Sequence, residues 1–180
     1  LTGELGPLAG TRVLITGGAG FLGYYLTQAL LHANTVLEQP PIAVVVYDNF
    51  MRGVPSWLKE KSGDPNLSVV RHDITDPMPA TAGAFDYIIN GASIASPTFY
   101  RQYPIETMDA NVGGLRHLLE YARDRRDEER AVRGFLFFSS SEIYGNPEPE
   151  AIPTPETYPG RVSCTGPRAC YDESKRYGET

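Results

Sequence analysis

Short apolar runs alternate with stretches of helical spacing through most of the chain. Arg12–Gly17 (RVLITG) is aliphatic and β-branched and then meets glycines, which predicts a buried strand followed by a tight turn. The stretch FLGYYLTQALLHA that follows carries apolar residues at helical intervals. Further strand-like runs stand at Ile42–Asp48 (IAVVVYD), Leu67–Asp73 (LSVVRHD), Phe85–Asn90 (FDYIIN) and Gly134–Ser141 (GFLFFSSS). A helical stretch from about Pro104 to Arg123 lies between the last two. Strands that read as continuous apolar runs, separated by helices, imply a parallel sheet covered on both faces. The pattern therefore predicts an α/β fold, a doubly wound parallel sheet in one domain over residues 1–180.

Between Asn146 and Arg168 the pattern changes. Pro147, Pro149, Pro153, Pro155, Pro159 and Pro167 exclude a helix or a central strand there and predict a long ordered loop. A loop of that length inside a compact domain is functional or mobile. Near the end, ACYDESKRYGET sets Tyr171 and Lys175 four residues apart, on one face of a helix.

Composition narrows the class. Hydrophobic residues make up 41% and charged residues 21%, as expected of a globular protein in water. No apolar run approaches the ~18–20 residues that span a bilayer, and the opening LTGELGPLAG lacks the basic flank and apolar core of a signal peptide. A net charge of −6 argues against a nucleic-acid surface. The mixed run Arg123–Arg130 reads as a solvated helix end and loop. Cys164 and Cys170 are the only cysteines, which with no export signal predicts a reducing cytoplasmic location. His32, His72 and His117 are scattered, so no metal site is expected.

Candidate chemistry gathers at the predicted strand ends. TGGAGFLG places Gly17, Gly20 and Gly23 after the first strand and at the start of the first helix. Glycines there let the backbone turn tightly and approach a pyrophosphate, while the helix N-terminus offers free N–H groups and a positive dipole end. Asp48 ends the second strand, where a carboxylate can accept from both adenosine ribose hydroxyls and repels a 2′-phosphate, favouring NAD over NADP. Arg52 lies near enough in sequence to pair with such a phosphate. Asp73 ends the third strand and either reaches the adenine amino group or simply forms the turn in HDITDP. In an open α/β sheet, ligands bind beyond the carboxyl strand ends, so Ser139–Glu142 should face the cofactor cleft. Serine hydroxyls there serve a substrate oxygen or merely cap the next turn; Glu142 is a surface acid or an acid–base group. A free phenol with a pKa of about 10 is useless as a base at neutral pH, but the Lys175 ammonium and an oxidised nicotinamide would both favour the Tyr171 phenolate.

The segments TGGAGFLG, VYDNF, RHDITDP, NGASIASP, SSSEIYG and GPRACYDESKR together resemble the extended short-chain dehydrogenase/reductase family, and within it the NAD-dependent UDP-glucuronate decarboxylases. The likeness runs from Arg12 to Thr180 and implies a Rossmann-type domain with the substrate-binding part beyond this chain. It implies NAD as cofactor, a nucleotide-sugar substrate and a homodimer paired through the Pro104–Arg123 helix and the helix bearing Tyr171. By resemblance, Tyr171 is the base at the sugar C4 hydroxyl, Lys175 tunes it and holds the nicotinamide ribose, Ser140 assists, and Ser141 and Glu142 complete the catalytic group. Gly17, Gly20, Phe21, Leu22 and Gly23 would hold the pyrophosphate, Asp48 and Asn49 the ribose, Asp73 and Ile74 the adenine. Gly91, Ala92 and Ser93 would line the far side of the cofactor. Ser141 stands where dTDP-glucose-type dehydratases carry an Asp, which favours decarboxylation. The chain departs from the pattern at Asn90-Gly91-Ala92 and at Asp109, two residues before Asn111. The alternatives are a 4,6-dehydratase, a 4-epimerase, or a catalytically silent NAD-sensing domain.

Overall fold

The computed structural model describes residues 2–36, 40–127 and 129–180. Leu1, and Glu128 within the mixed-charge run, lie outside them. A helical turn α1 (Thr2–Leu5) precedes strand β1 (Arg12–Thr16) and helix α2 (Phe21–Val36). Then come β2 (Ala43–Asp48), the short α3 (Ser56–Glu60), β3 (Leu67–Arg71) and β4 (Tyr87–Asn90). Helices α4 (Pro97–Gln102) and α5 (Pro104–Met108) run through a π-helical segment, Asp109–Gly114, into α6 (Leu115–Asp124). Strand β5 (Gly134–Phe137) and helix α7 (Ala169–Glu179) complete the fold.

All five strands are parallel, in the order β3-β2-β1-β4-β5. Side chains alternate across a strand, and β1 shows the result. Val13 and Ile15 join Val44, Val46, Leu30, Leu31 and Leu58 on the α2 side, while Leu14 joins Val45, Tyr47, Ile88, Leu118 and Tyr121 on the α6 side. The sheet is thus a Rossmann-type doubly wound sheet with helices on both faces. Chain order reverses between β1 and β4, and the crevice beyond the carboxyl ends at such a switch point is where this architecture takes ligands.

Three expectations are corrected. Strand five stops at Phe137 rather than Ser141, because β4 ends at Asn90, the partner of Phe137, and leaves nothing further to pair with. The third strand is not a buried run: β3 is the sheet edge, so Val69 and Val70 are exposed. The Pro104–Arg123 helix is not uniform, its middle being the π-helical segment beside the close approach of Gly114 to Ile74, where a Cβ would come within 2.8 Å.

The proline-rich stretch is an ordered loop. Arg161 N–H donates to the Tyr144 carbonyl at 2.9 Å and Asn146 N–H to the Arg161 carbonyl at 3.2 Å. Arg176 on α7 donates to the Ile143 carbonyl at 2.8 Å and to that of Pro159 at 3.3 Å, pinning the loop to that helix.

Candidate active site

The turn after β1 is packed so closely that backbone alone can line it. Gly17 has φ +67°, a conformation that costs glycine little, and a Cβ on it would stand 2.7 Å from the Ala92 Cα. A Cβ on Gly18 would meet Val46 Cγ1 at 2.6 Å, and one on Gly23 the Gly18 carbonyl oxygen at 2.4 Å. The Gly17 N–H donates to the Tyr47 carbonyl at 2.8 Å and the Gly20 N–H to that of Gly17 at 3.0 Å. Phe21 and Leu22 open α2 at this point, their side chains 76% and 51% exposed. What they can offer an anion is therefore main-chain N–H groups, which in the first helical turn have no intrahelical acceptor.

Asp48 binds the turn to the sheet. Its Oδ2 accepts from the Ala19 N–H at 3.0 Å and its Oδ1 from the Phe50 N–H at 2.8 Å. Asn49 Nδ2 donates to Asp73 Oδ2 at 2.9 Å, and the other Asp73 oxygen accepts from the Thr75 N–H and hydroxyl at 3.0 and 2.8 Å. Asp73 is thus a turn-former linked to Asn49. Burial alone would raise its carboxyl, but the bonds from Asn49 and Thr75 outweigh that and hold it below its ordinary value. Ile74 is buried in the α6-side core. Arg52 lies with its guanidinium 5.6 Å from the Phe99 ring centroid.

At the switch point Thr16 joins β1 to β4. Its hydroxyl donates to Asn90 Oδ1 at 3.1 Å and accepts from the Ala92 N–H at 3.3 Å, while the Gly91 N–H donates to the Thr16 carbonyl at 3.2 Å. Ser93 Oγ, one residue on, is buried with no hydrogen-bond partner. A buried hydroxyl without a partner is costly. Here it stands beside a glycine cradle that side chains would fill. Both features fit an elongated phosphate-bearing cofactor laid across the crevice.

The predicted catalytic residues converge beyond β5. Ser140 caps the short 3₁₀ turn Ser141–Tyr144, its Oγ accepting from the Glu142 N–H at 3.2 Å, and its hydroxyl acts to lower the Tyr171 phenol. Ser141 is exposed and Ser139 donates to Glu179 at 2.5 Å. Tyr171, 7% exposed, stacks on Tyr100 with ring centroids 5.1 Å apart and planes 13° apart. One turn further along α7, Lys175 is 4% exposed; its Nζ donates to the Phe138 carbonyl at 2.8 Å and sits 5.8 Å from the Tyr171 ring centroid.

Electrostatics overturns one expectation. In the protein alone the Tyr171 phenol is pushed up, chiefly by burial; the Ser140 hydroxyl pulls it down, and the charges of Glu142, Tyr100 and Asp172 add to the rise. Lys175 is not what lowers it. Burial pushes the Lys175 amine itself down to about 8, and its proton is aimed at a carbonyl.

Several partners had no local signature in the sequence. Tyr100, buried and packed on Tyr171, comes from α4, and the Cys170 thiol bonds the Tyr100 carbonyl at 3.4 Å. Arg168 pairs with Glu142 at 3.0 Å and with Asp172 at 3.4 Å. Asn111 Nδ2 donates to Ser174 Oγ at 2.8 Å, and that hydroxyl donates to the Tyr171 carbonyl at 3.0 Å. Among the described residues no group of three His, Cys, Asp or Glu could hold a metal, and no helix is long and apolar enough to cross a membrane.

A parallel sheet with a switch point, a glycine turn opening its first helix, and Ser140, Tyr171 and Lys175 gathered beyond β5 define a Rossmann-type nucleotide-binding protein. More specifically, residues 13–180 match the NAD dependent epimerase/dehydratase family, and the chain belongs to that family. It is similar to UDP-glucuronic acid decarboxylase 3 of Arabidopsis thaliana, 39% identical over 94% of this chain and 44% of that protein. Two solved structures share the fold. An epimerase from Methanothermobacter thermautotrophicus superposes with TM-score 0.78 at 25% identity, over 99% of this chain and 48% of that one. UDP-glucose 4-epimerase from Bifidobacterium longum, solved with NAD+ and UDP, does so with TM-score 0.72 at 27% identity, over 94% and 47%. The chain spans less than half the length of the relatives it matches.

Proposed function

We propose that residues 1–180 are the NAD-binding portion of a nucleotide-sugar enzyme that decarboxylates UDP-glucuronate to a UDP-pentose. The observation that carries the chemistry is the buried Tyr171 phenol, one helical turn from the buried Lys175 and under the influence of the Ser140 hydroxyl. The similarity to UDP-glucuronic acid decarboxylases, with Ser141 in place of an acid, favours decarboxylation over dehydration. Gly17–Gly23, Asp48, Asn49 and Gly91–Ser93 would hold NAD, which would supply a reversible hydride acceptor and the positive charge of its oxidised ring.

Tyr171 takes the proton of the sugar C4 hydroxyl at its phenolic oxygen, and Ser140 orients that hydroxyl. Because the folded chain alone disfavours the phenolate, the site works as a base only when a cation joins it. Lys175 anchors α7 to the end of β5 through the Phe138 carbonyl and presents an amine of lowered basicity, suited to a ribose hydroxyl. Oxidation at C4 makes the uronic acid a β-keto acid, which loses CO2 as the ketone takes up the charge. Tyr100 stacks on the Tyr171 ring, and Tyr171 is only 7% exposed, which limits the water around the base.

A homodimer follows from the same reading. Ile105, Met108, Leu119 and Tyr177 are large exposed apolar residues on α5, α6 and α7 and would be covered by a second copy. The free thiols Cys164 and Cys170 fit a cytoplasmic setting. Incubating the full-length protein with UDP-glucuronate tests the function: CO2 and a UDP-pentose should form without net NADH. Turnover of a 6-hydroxy sugar nucleotide with no CO2 would replace this reading by the epimerase or dehydratase one, which the solved relatives favour. Bound NAD with no turnover at all would leave a silent domain.

A further inference from the structure

We propose that Arg168 is a positioning residue that fastens the Glu142 carboxylate to the helix carrying Tyr171. The inference rests on the functional reading above and deepens it. Arg168 immediately precedes α7, and its guanidinium reaches three side chains from three parts of the chain. Nη1 lies 3.0 Å from Glu142 Oε2, Nε lies 3.4 Å from Asp172 Oδ2, and Nη2 donates to Asn146 Oδ1 at 3.4 Å. Glu142 belongs to the turn capped by Ser140, while Asp172 neighbours Tyr171. One planar fork therefore ties the acid turn to the base helix.

Asp172 explains why the fork is held. It is 4% exposed and its second oxygen, Oδ1, has no hydrogen-bond partner. Burial pushes the Asp172 carboxyl up, and the Arg168 guanidinium is the neighbour that favours its charged form against the nearby carboxylates of Glu142 and Glu173. Asp172 thus fixes the guanidinium from below, and the guanidinium fixes Glu142 from the side. The Glu142 and Arg168 side chains are about a third exposed, 35% and 34%, so their pairing contributes little stability. What it contributes is direction. The turn that carries Glu142 is capped by Ser140 at the end of the sheet where Tyr171 is buried, so the held carboxylate stays beside the base helix. A lysine would supply the charge without the fork that serves two acids at once.

The test uses the full-length enzyme with NAD and its sugar nucleotide. Arg168→Gln should lower kcat about 10- to 100-fold, the scale on which a misplaced catalytic group acts, with KM little changed. Arg168→Lys should recover part of the loss. In an Glu142→Gln background, Arg168→Gln should add less than about a further two-fold, since groups acting as a unit are non-additive. Crystals of the Arg168→Gln protein should show Glu142 displaced from its present orientation. Full additivity, a KM effect with kcat intact, or Glu142 unmoved in those crystals overturns the proposal. A wild-type protein that turns over no sugar nucleotide sinks the functional reading instead, and the crystal comparison still decides the positioning role. Should Arg168→Gln fail to fold because it strands the Asp172 charge, the Arg168→Gln/Asp172→Asn pair removes that charge and carries the same comparison.

Discussion

Replacing Gly23 by alanine sets two physical effects of opposite sign against each other. Gly23 lies inside α2, and glycine within a helix costs up to ~1 kcal/mol relative to alanine, so helix propensity alone makes Gly23→Ala stabilising. Packing says the reverse. The new methyl would lie 2.4 Å from the Gly18 carbonyl oxygen and 2.5 Å from its carbonyl carbon and Cα, all backbone that no rotamer can move aside. Ordinary contact needs roughly 3.5 Å or more, so α2 must withdraw about 1 Å from the turn. Overpacking on this scale costs about 1–3 kcal/mol or more. Set against the propensity gain, the net loss is up to about 2 kcal/mol, or up to about 8 °C in Tm for a chain of this size. The same withdrawal separates the helix N-terminus from Gly17–Gly20, so NAD affinity should fall at least ~10-fold, about 1.4 kcal/mol. Gly113→Ala is the matched control, because its Cβ meets nothing within 4 Å and should be neutral or mildly stabilising. Thermal melting and NAD titration of the three proteins read both quantities. A Gly23→Ala protein that melts at or above wild type and binds NAD equally well would refute the reasoning.

Further outcomes follow from the same geometry. Lys175 has a folded-state pKa of about 8 against 10.5 ordinarily. The unfolded chain therefore binds the extra proton between those values, and stability should rise with pH from about 8 to 10, by up to ~3 kcal/mol at 1.36 kcal/mol per unit. Comparing urea unfolding of wild type with Lys175→Met isolates this slope, and parallel curves would contradict it. Ser140→Ala removes both the hydroxyl acting on Tyr171 and the cap of the 142 N–H, and should lower kcat at least ~10-fold while costing about 1 kcal/mol of stability; unchanged kcat would place the hydroxyl outside the chemistry. Asp48→Ala frees the Ala19 and Phe50 N–H groups and removes the charge that repels a 2′-phosphate. Fluorescence titration should show NAD weakened and the NAD/NADP preference narrowed. Tyr100→Leu deletes the stacked ring over Tyr171 and should cost about 0.5–1.5 kcal/mol beyond the area lost, read by melting.

How much of this was legible in the sequence depends on the range over which each feature is determined. β1, β2 and β4 are local runs buried on both faces, so RVLIT, AVVVYD and YIIN announce themselves. The glycine turn is legible for the same reason, since strand, glycines and helix follow one another directly. The end of β5 is not, because Phe138 and the three serines are as compatible with a strand as Phe137 is. What stops the strand is β4, which ends at Asn90, 44 residues earlier in the chain than Gly134. Likewise the valines of β3 read as core but occupy an edge, and only the sheet order decides that.

The site divides in the same way. Tyr171 and Lys175 are visible as a pair because helix geometry relates residues four apart, and their placement beyond the sheet follows from the fold class. Their protonation does not follow, since it is set by what surrounds them. Tyr100 arrives from α4 to bury the phenol, and Phe138 arrives from the end of β5 to take the amine's proton as a hydrogen bond. A tyrosine beside a lysine suggests a ready-made phenolate, yet burial acts on both groups in the direction that keeps them neutral. The consequence is a base held in reserve. Without a positive charge in the crevice, burial favours the Tyr171 phenol over its phenolate. With one, burial turns from obstacle to advantage, because in a site of low dielectric each added charge acts more strongly than it would in water. On the proposed function, cofactor occupancy would therefore raise the base strength of Tyr171, and the glycine turn would act on the chemistry of a residue more than 140 positions away.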